Sequence, residues 1–162
     1  MYTEDNSPVG LYIENGRKLS SMKICNSRKA NFCLQPQGVF YLTKDRRAGI
    51  STVSAFSSQN VVYAIEAAPM IVIEGKENPS LPKQSTFIGN GAGIRRDGKV
   101  VLAILNRPVT FPQLAQYFIA KGCTTAVYFD GGVSMSLLSD NLIVPKRRGT
   151  RGGFGAMIAV FD

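Results

Sequence analysis

No histidine and no tryptophan occur in this chain of 162 residues. Without histidine the usual general base is missing, and so are Ser-His-Asp sites, Cys-His sites and every zinc site that needs an imidazole. Proton transfer falls to Asp, Glu, Lys, Tyr or Cys. Cysteine is scarce. Cys25, Cys33 and Cys123 show no CxxC spacing, which speaks against zinc. Cys25 and Cys33 can close a hairpin disulfide in an oxidising compartment, but the favoured expectation is buried free thiols. Long apolar runs are lacking too, and none approaches the ~18–20 residues of a transmembrane helix. The opening MYTEDNSPVG has no basic segment leading into an apolar one, so it does not read as a secretory signal. The expectation is therefore a cytoplasmic protein if the chain is complete as it stands, and a periplasmic or secreted one if a precursor segment is missing.

What remains is an ordinary globular composition, 44% hydrophobic and 19% charged. The length suits one domain spanning 1–162, large enough to bury a core. Net charge is +8 and the pI is near 9.6, a balance that favours anionic partners (phosphate-bearing sugars, polyanionic glycans, nucleic acid or a membrane surface) without choosing among them.

The pattern reads mostly as strands. GLYIENGRKLS is a hairpin around Asn15-Gly16, a pair suited to the positive φ angles of a type I′ turn. Residues 38–45 read as a strand. VVYAIEAAPMIVIEGKEN is a long apolar stretch broken at Pro69, with a turn at Glu74-Gly75-Lys76. GAGIRRDGKVVLAIL is a second hairpin, in which Asp97 makes the turn with Gly98. Over 111–121 the spacing of Phe111, Leu114, Ala115, Phe118 and Ile119 predicts a helix, with Thr110 as N-cap and Gly122 as its stop. TTAVYFD then reads as a buried strand and GAMIAVFD as a closing one. The expected fold class is α+β, a largely antiparallel or mixed sheet with few helices.

Three stretches carry chemistry. In YFDGGVSMSLL a strand ends at Asp130, and Gly131 and Gly132 let the chain turn sharply and a ligand approach the backbone. Ser134 and Ser136 offer donors at the same mouth, so an acid or base with hydrogen-bond donors beside it can assemble there. An ordinary tight turn, with the aspartate bonding its own backbone, is the plainer alternative. In STFIGNGAGI, Gly89, Gly91 and Gly93 alternate with Asn90 and small residues, leaving one strand face bare for a ligand or for a second layer of structure. In PKRRGTRGG, Lys146, Arg147, Arg148 and Arg151 form a basic cluster that suits phosphate oxygens or, more blandly, a solvated loop. No aromatics interleave with it, which weakens a single-strand nucleic-acid platform. Glu66 stands inside an apolar strand and is expected to face solvent.

Taken in order, SPVGLYIENGRKLS, NFCLQPQGVFYL, AIEAAPMIVIEGK, GNGAGIRRDGKVVLAI and VYFDGGVSMSLL resemble the phosphodiester glycosidase family, in particular its short bacterial members. The family includes the uncovering enzyme that removes N-acetylglucosamine from a phosphodiester on mannose. The resemblance runs over essentially the whole chain. It implies hydrolysis of a sugar-1-phosphodiester, with a phosphorylated glycan or sugar-phosphate of the cell envelope as substrate. A DGG-S element typical of the family is matched by Asp130, Gly131, Gly132 and Ser134, and an NG-G strand by Asn90, Gly91 and Gly93.

The resemblance thus implies Asp130, Asn90 and Ser134 as catalytic residues. The four glycines Gly91, Gly93, Gly131 and Gly132, with Arg147, Arg148 and Arg151, are implied as substrate contacts. No cofactor is expected, although an aspartate beside hydroxyls can help hold a divalent ion. Nucleic acid is not an expected partner.

This chain departs from the family in three places. Gly89 stands where an arginine is common. Ala67-Ala68-Pro69 stands where a Ser-Gly-Pro element is common. Met1-Tyr2 follows no upstream NGG or NAG element, so the chain is expected to begin inside the domain. A sheet edge exposed in this way would favour a homodimer. A catalytically weak phospho-glycan binding module is the alternative reading.

Overall fold

The computed structural model describes residues 7–27, 30–131, 137–139, 142–144 and 157–160, and of residues 130, 131, 137–139 and 142–144 it describes the backbone alone. The fold is α+β and its strand pairings are antiparallel. Two five-stranded sheets carry it, rather than one.

The first sheet starts with the expected hairpin, β1 (Tyr12–Glu14) and β2 (Arg17–Ser20). Asn15 and Gly16 both have positive φ, 51° and 76°, as the turn demands. A second hairpin joins β3 (Gly38–Thr43) to β4 (Ala48–Thr52), and β5 (Val61–Ala67) lies between β1 and β3. At Ala68-Pro69 the chain leaves this sheet for the other. There β6 (Met70–Ile73) turns at Glu74-Gly75 into β7 (Lys76–Glu77).

After β8 (Thr86–Phe87) comes the hairpin of β9 (Gly89–Arg95) and β10 (Val100–Ile104). Asp97 makes this turn as expected, its Oδ1 accepting from the Lys99 amide at 3.2 Å and its Oδ2 lying 3.1 Å from Arg95 Nη2. β11 (Val109–Thr110) pairs with β8 and leads into helix α1 (Phe111–Ala120). The Thr110 hydroxyl accepts from the Gln113 amide, and the Gln113 side chain accepts from the Thr110 amide, a reciprocal cap that fixes where the helix begins. Gly122, with φ 79°, ends it. The long strand β12 (Cys123–Gly131) then runs between β9 and β6, giving the second sheet the order β10-β9-β12-β6-β7. A small hairpin follows, β13 (Leu137–Ser139) with β14 (Leu142–Val144).

The sheets pack face to face through Phe40, Ile50, Ala67, Met70, Ala92, Ile94 and Val127. Helix α1 covers the far side of the second sheet. Phe111, Leu114, Ala115 and Phe118 settle there against Ile71, Val72, Ala126 and Tyr128, each large side chain contributing about 1.5–3 kcal/mol through burial. The outer face of the first sheet buries Leu11, Ile13, Val39, Val61 and Ala64 beneath its loops.

Three expectations are corrected. Cys25 and Cys33 are joined as a disulfide rather than left as free thiols, because a turn at Asn31–Cys33 folds the loop back until their Cα atoms lie 5.0 Å apart. Glu66 is 1% exposed, not turned to solvent. Met157–Val160, the described part of the expected closing strand, is exposed and pairs with no strand among the described residues. Among the described residues, no helix is long and apolar enough to cross a membrane.

Candidate functional site

Strand β12 is apolar because it is central, buried by β9 and β6 on its edges and by two cores on its faces. Its regular pairing with β9 holds from Thr125↔Ile94 to Tyr128↔Gly91, then shifts: the next pair is Gly131↔Gly89. Three residues of β12 are thus advanced against two of β9. The extra residue is a bulge at Phe129–Asp130, and Asn90 of β9 lies across from it. Bulges bend a strand and re-aim side chains where pairing ends. The ladder therefore brings Asp130, Gly131, Asn90 and Gly91 to one end of the central strand pair.

Neighbouring backbone closes around that end. The Tyr128 amide donates to the Pro69 carbonyl at 3.0 Å, so the Ala67-Ala68-Pro69 crossing runs beside β12. The Met70 amide donates to the Pro36 carbonyl at 2.9 Å. Asn78, 2% exposed, ties these two segments together, its Nδ2 donating to Gln35 O at 3.0 Å and to Met70 O at 2.8 Å. The Leu105 amide donates to Gly89 O at 2.9 Å and anchors the start of β9. This end of the molecule is held almost wholly by backbone and amide bonds.

The glycines of β9 serve packing. A Cβ on Gly93 would lie 2.6 Å from Phe118 Cδ1 and 2.7 Å from Cys123 Sγ, and one on Gly91 would lie 2.7 Å from the Val127 carbonyl oxygen. The bare face is filled by Phe118 of α1, a second layer of structure rather than open space. At Gly89 a Cβ would run into the Tyr128 ring, which leaves no room for the arginine expected there unless Tyr128 moves. Asn90 is half-buried and shares the opposite face with Ala92 and Ile94. Gly132, Ser134, Arg147, Arg148 and Arg151, together with the Asp130 side chain, lie outside the described residues. Among the described residues no three Cys, Asp or Glu groups gather to ligate a metal.

Next to this end lies a buried polar pair whose depth the sequence hid. Glu66 on β5 stands opposite Val39, one step from Ala67↔Gly38. Its Oε2 accepts from the Leu11 amide at 2.8 Å and from the Lys23 amide at 2.9 Å; its Oε1 accepts from Gln37 Nε2 at 3.1 Å. Gln37 Nε2 also reaches Lys23 O at 2.9 Å and Phe32 O at 3.1 Å, while its Oε1 accepts from the Cys25 amide at 3.0 Å. Gly10 has no side chain because a Cβ would meet Glu66 Oε2 and the Phe32 ring. The described part of the disulfide-closed strap, residues 21–27 and 30–33, is stitched onto the sheet through this pair, and Gln35 Nε2 adds bonds to the Cys25 and Cys33 carbonyls. Gln37 in CLQPQG carried no apolar periodicity to betray it.

A family model for phosphodiester glycosidases matches residues 1–161. The chain belongs to the phosphodiester glycosidase family. The family that the ordered motifs resemble is thus the one that matches. YigE of Escherichia coli (strain K12), an uncharacterized protein, is 34% identical over 151 residues, 91% of this chain and 59% of that protein. The zebrafish N-acetylglucosamine-1-phosphodiester alpha-N-acetylglucosaminidase catalytic domain, solved auto-inhibited by its pro-peptide, superposes with a TM-score of 0.59 at 16% identity. That match covers 85% of this chain and 50% of the zebrafish chain, and it shows a shared fold. The phosphodiester glycosidase chain described here therefore spans little more than half the length of these relatives.

Proposed function

We propose that the chain hydrolyses a sugar-1-phosphodiester, cleaving between the anomeric carbon and the phosphate oxygen. The observation that carries this reading is the bulge at Phe129–Asp130 with Asn90 across from it, in a chain of the phosphodiester glycosidase family. Charge builds on the anomeric carbon as the bond breaks, and a nearby carboxylate stabilises it. Asp130 is assigned that role, as charge stabiliser or acid/base. A phosphodiester leaves without needing a full proton, so a site without histidine suffices, and cations near the phosphate stabilise the departing charge.

Asn90 and Ser134 are assigned to hold the sugar or phosphate, and Arg147, Arg148 and Arg151 to meet the phosphate. Backbone N–H groups around Gly131 and Gly132 suit the same anion. The net charge of +8 favours a phosphorylated glycan of the cell envelope as substrate. The Cys25–Cys33 disulfide supports an oxidising compartment, periplasmic or secreted.

A second reading is a binding module with weak or no catalysis. It is favoured by Gly89, where Tyr128 occupies the space an arginine would need. Incubation with an N-acetylglucosamine-1-phosphodiester, followed by NMR, separates the two. Free sugar released by the parent chain supports hydrolysis. Binding of the intact diester without release supports the module, and neither release nor binding overturns both.

A further inference from the structure

At the far end of β3 from Gly38, on the outer face of the first sheet, the surface sinks into a depression of about 360 Å³. A single sugar residue fits a volume of this order. Tyr41 and Thr43 of β3, Asp45 of the following turn, Ser51 of β4, and Gln59 and Asn60 ahead of β5 line it. No lysine or arginine is among its lining residues.

Several features show this site to be built. The Tyr41 ring lies across Gly49, where any Cβ would collide with it, and turns an edge to Phe56 at 5.7 Å between centroids. The half-buried ring is thus held in place before any ligand arrives. Ser51 Oγ is buried and is the sole such side-chain atom among the described residues with no hydrogen-bond partner. With no open surface of its own that hydroxyl packs into the wall, and the exposed side-chain amides of Gln59 and Asn60 are the groups that face a ligand. Asn60 holds a left-handed backbone, φ 62°, and Lys44 N donates to its carbonyl at 2.9 Å, which fixes that wall. Arg47 Nε binds Asp45 Oδ2 at 2.9 Å. Hydrogen bonding from Thr43, then from backbone, holds the Asp45 carboxyl below its ordinary value, so it is ionised at neutral pH.

An aromatic ring beside a carboxylate, two amides and hydroxyls is the chemistry that takes a pyranose. The ring meets the apolar C–H face, and the polar groups meet the hydroxyls. Asp45 is already paired with Arg47 and no lysine or arginine lines the depression, so nothing in its lining draws phosphate or sulfate. We propose that this depression is a second saccharide site, separate from the Asp130 end, and that it takes an uncharged pyranose unit of a longer glycan. The site goes beyond the hydrolytic reading and does not depend on it, since binding here involves no bond cleavage.

The test is amide NMR of the full chain, titrated separately with the methyl pyranosides of glucose, galactose, mannose and N-acetylglucosamine, and with inorganic phosphate. The expected result is saturable shifts at Thr43, Ser51 and Asn60 with at least one uncharged sugar and none with phosphate. Tyr41→Ala should weaken that binding about tenfold, the equivalent of one good contact. If Tyr41→Ala fails to fold, Asn60→Gly keeps the positive φ and removes the amide, and it should weaken binding at least threefold. No shift in this region with any of the sugars overturns the proposal. So does a shift with phosphate alone, or sugar binding that the folded variants leave unchanged.

Discussion

Gln37 Nε2 and Glu66 Oε1 meet at 3.1 Å with both side chains almost wholly buried, and through them a disulfide-closed strap is fastened to the first sheet. Glu66 satisfies three donors at once: this amide and the backbone N–H groups of Leu11 and Lys23. Removing the acceptor leaves the buried Leu11 amide and the part-buried Lys23 amide unpaired and takes from Gln37 Nε2 one of its acceptors. Glu66→Ala should therefore lower stability by about 3 kcal/mol or more, while Glu66→Gln, which keeps the volume and one oxygen, should lose about 1–2 kcal/mol. Urea unfolding checks this through the midpoint, at unchanged slope. Equal small losses for both variants would show that the pair is not the fastening.

The thiols give a second expectation. With Cys25 and Cys33 joined, a denatured unreduced sample should titrate one thiol per chain, Cys123, and a reduced one three. Replacing both bridging cysteines by serine should cost about 2.5 kcal/mol, from the entropy of an eight-residue closure.

Cys123 in the native protein is buried beneath α1, and burial pushes its thiol above the ordinary value, against a smaller opposing pull from Arg95. It should react with thiol reagents far more slowly than in denaturant. The sign of the pH effect follows. Between the unfolded thiol's pKa and the raised folded one, the unfolded chain releases its proton first. This contribution to stability is therefore whole below the unfolded value and is lost as pH rises through the folded one. Thermal melts across the alkaline range, compared with Cys123→Ala, would reveal it.

Gly93 and Phe118 share one space, so Gly93→Ala should destabilise by about 1–3 kcal/mol through overpacking. Phe118→Leu alone should also destabilise. Combined, the two should cost less than their sum, because the smaller side chain makes room for the new methyl. Additive losses would mean that Phe118 is not what the glycine accommodates.

For catalysis, Asp130→Asn should cut sugar release from the phosphodiester by about 100-fold or more, the scale of losing a positioned carboxyl group. Its urea midpoint should match the parent's. Unchanged release would remove Asp130 from the mechanism and leave the activity standing.

Much of this protein was legible locally. Both hairpin turns, the break at Pro69, the capped helix and the buried strand that carries Asp130 follow from turn residues, periodicity and capping, which act within a few positions of each other. The ordered motifs also carried the family. Local pattern could not say that the strands divide between two sheets, because that depends on which faces meet. Glu66 was misread for the same reason. Its place in an apolar strand fits either face of a sheet, and only Gln37, Leu11 and Lys23, distant in sequence, make burial tolerable. Cys25 and Cys33 likewise became partners only when a turn folded their loop back. The bulge that sets Asn90 across from Phe129–Asp130 is a matter of register between two strands far apart in sequence. The sequence by itself determined the elements and the chemistry they carry; tertiary packing alone decided which of those residues meet, because contact between distant segments is set by the shared core and not by either segment's own pattern.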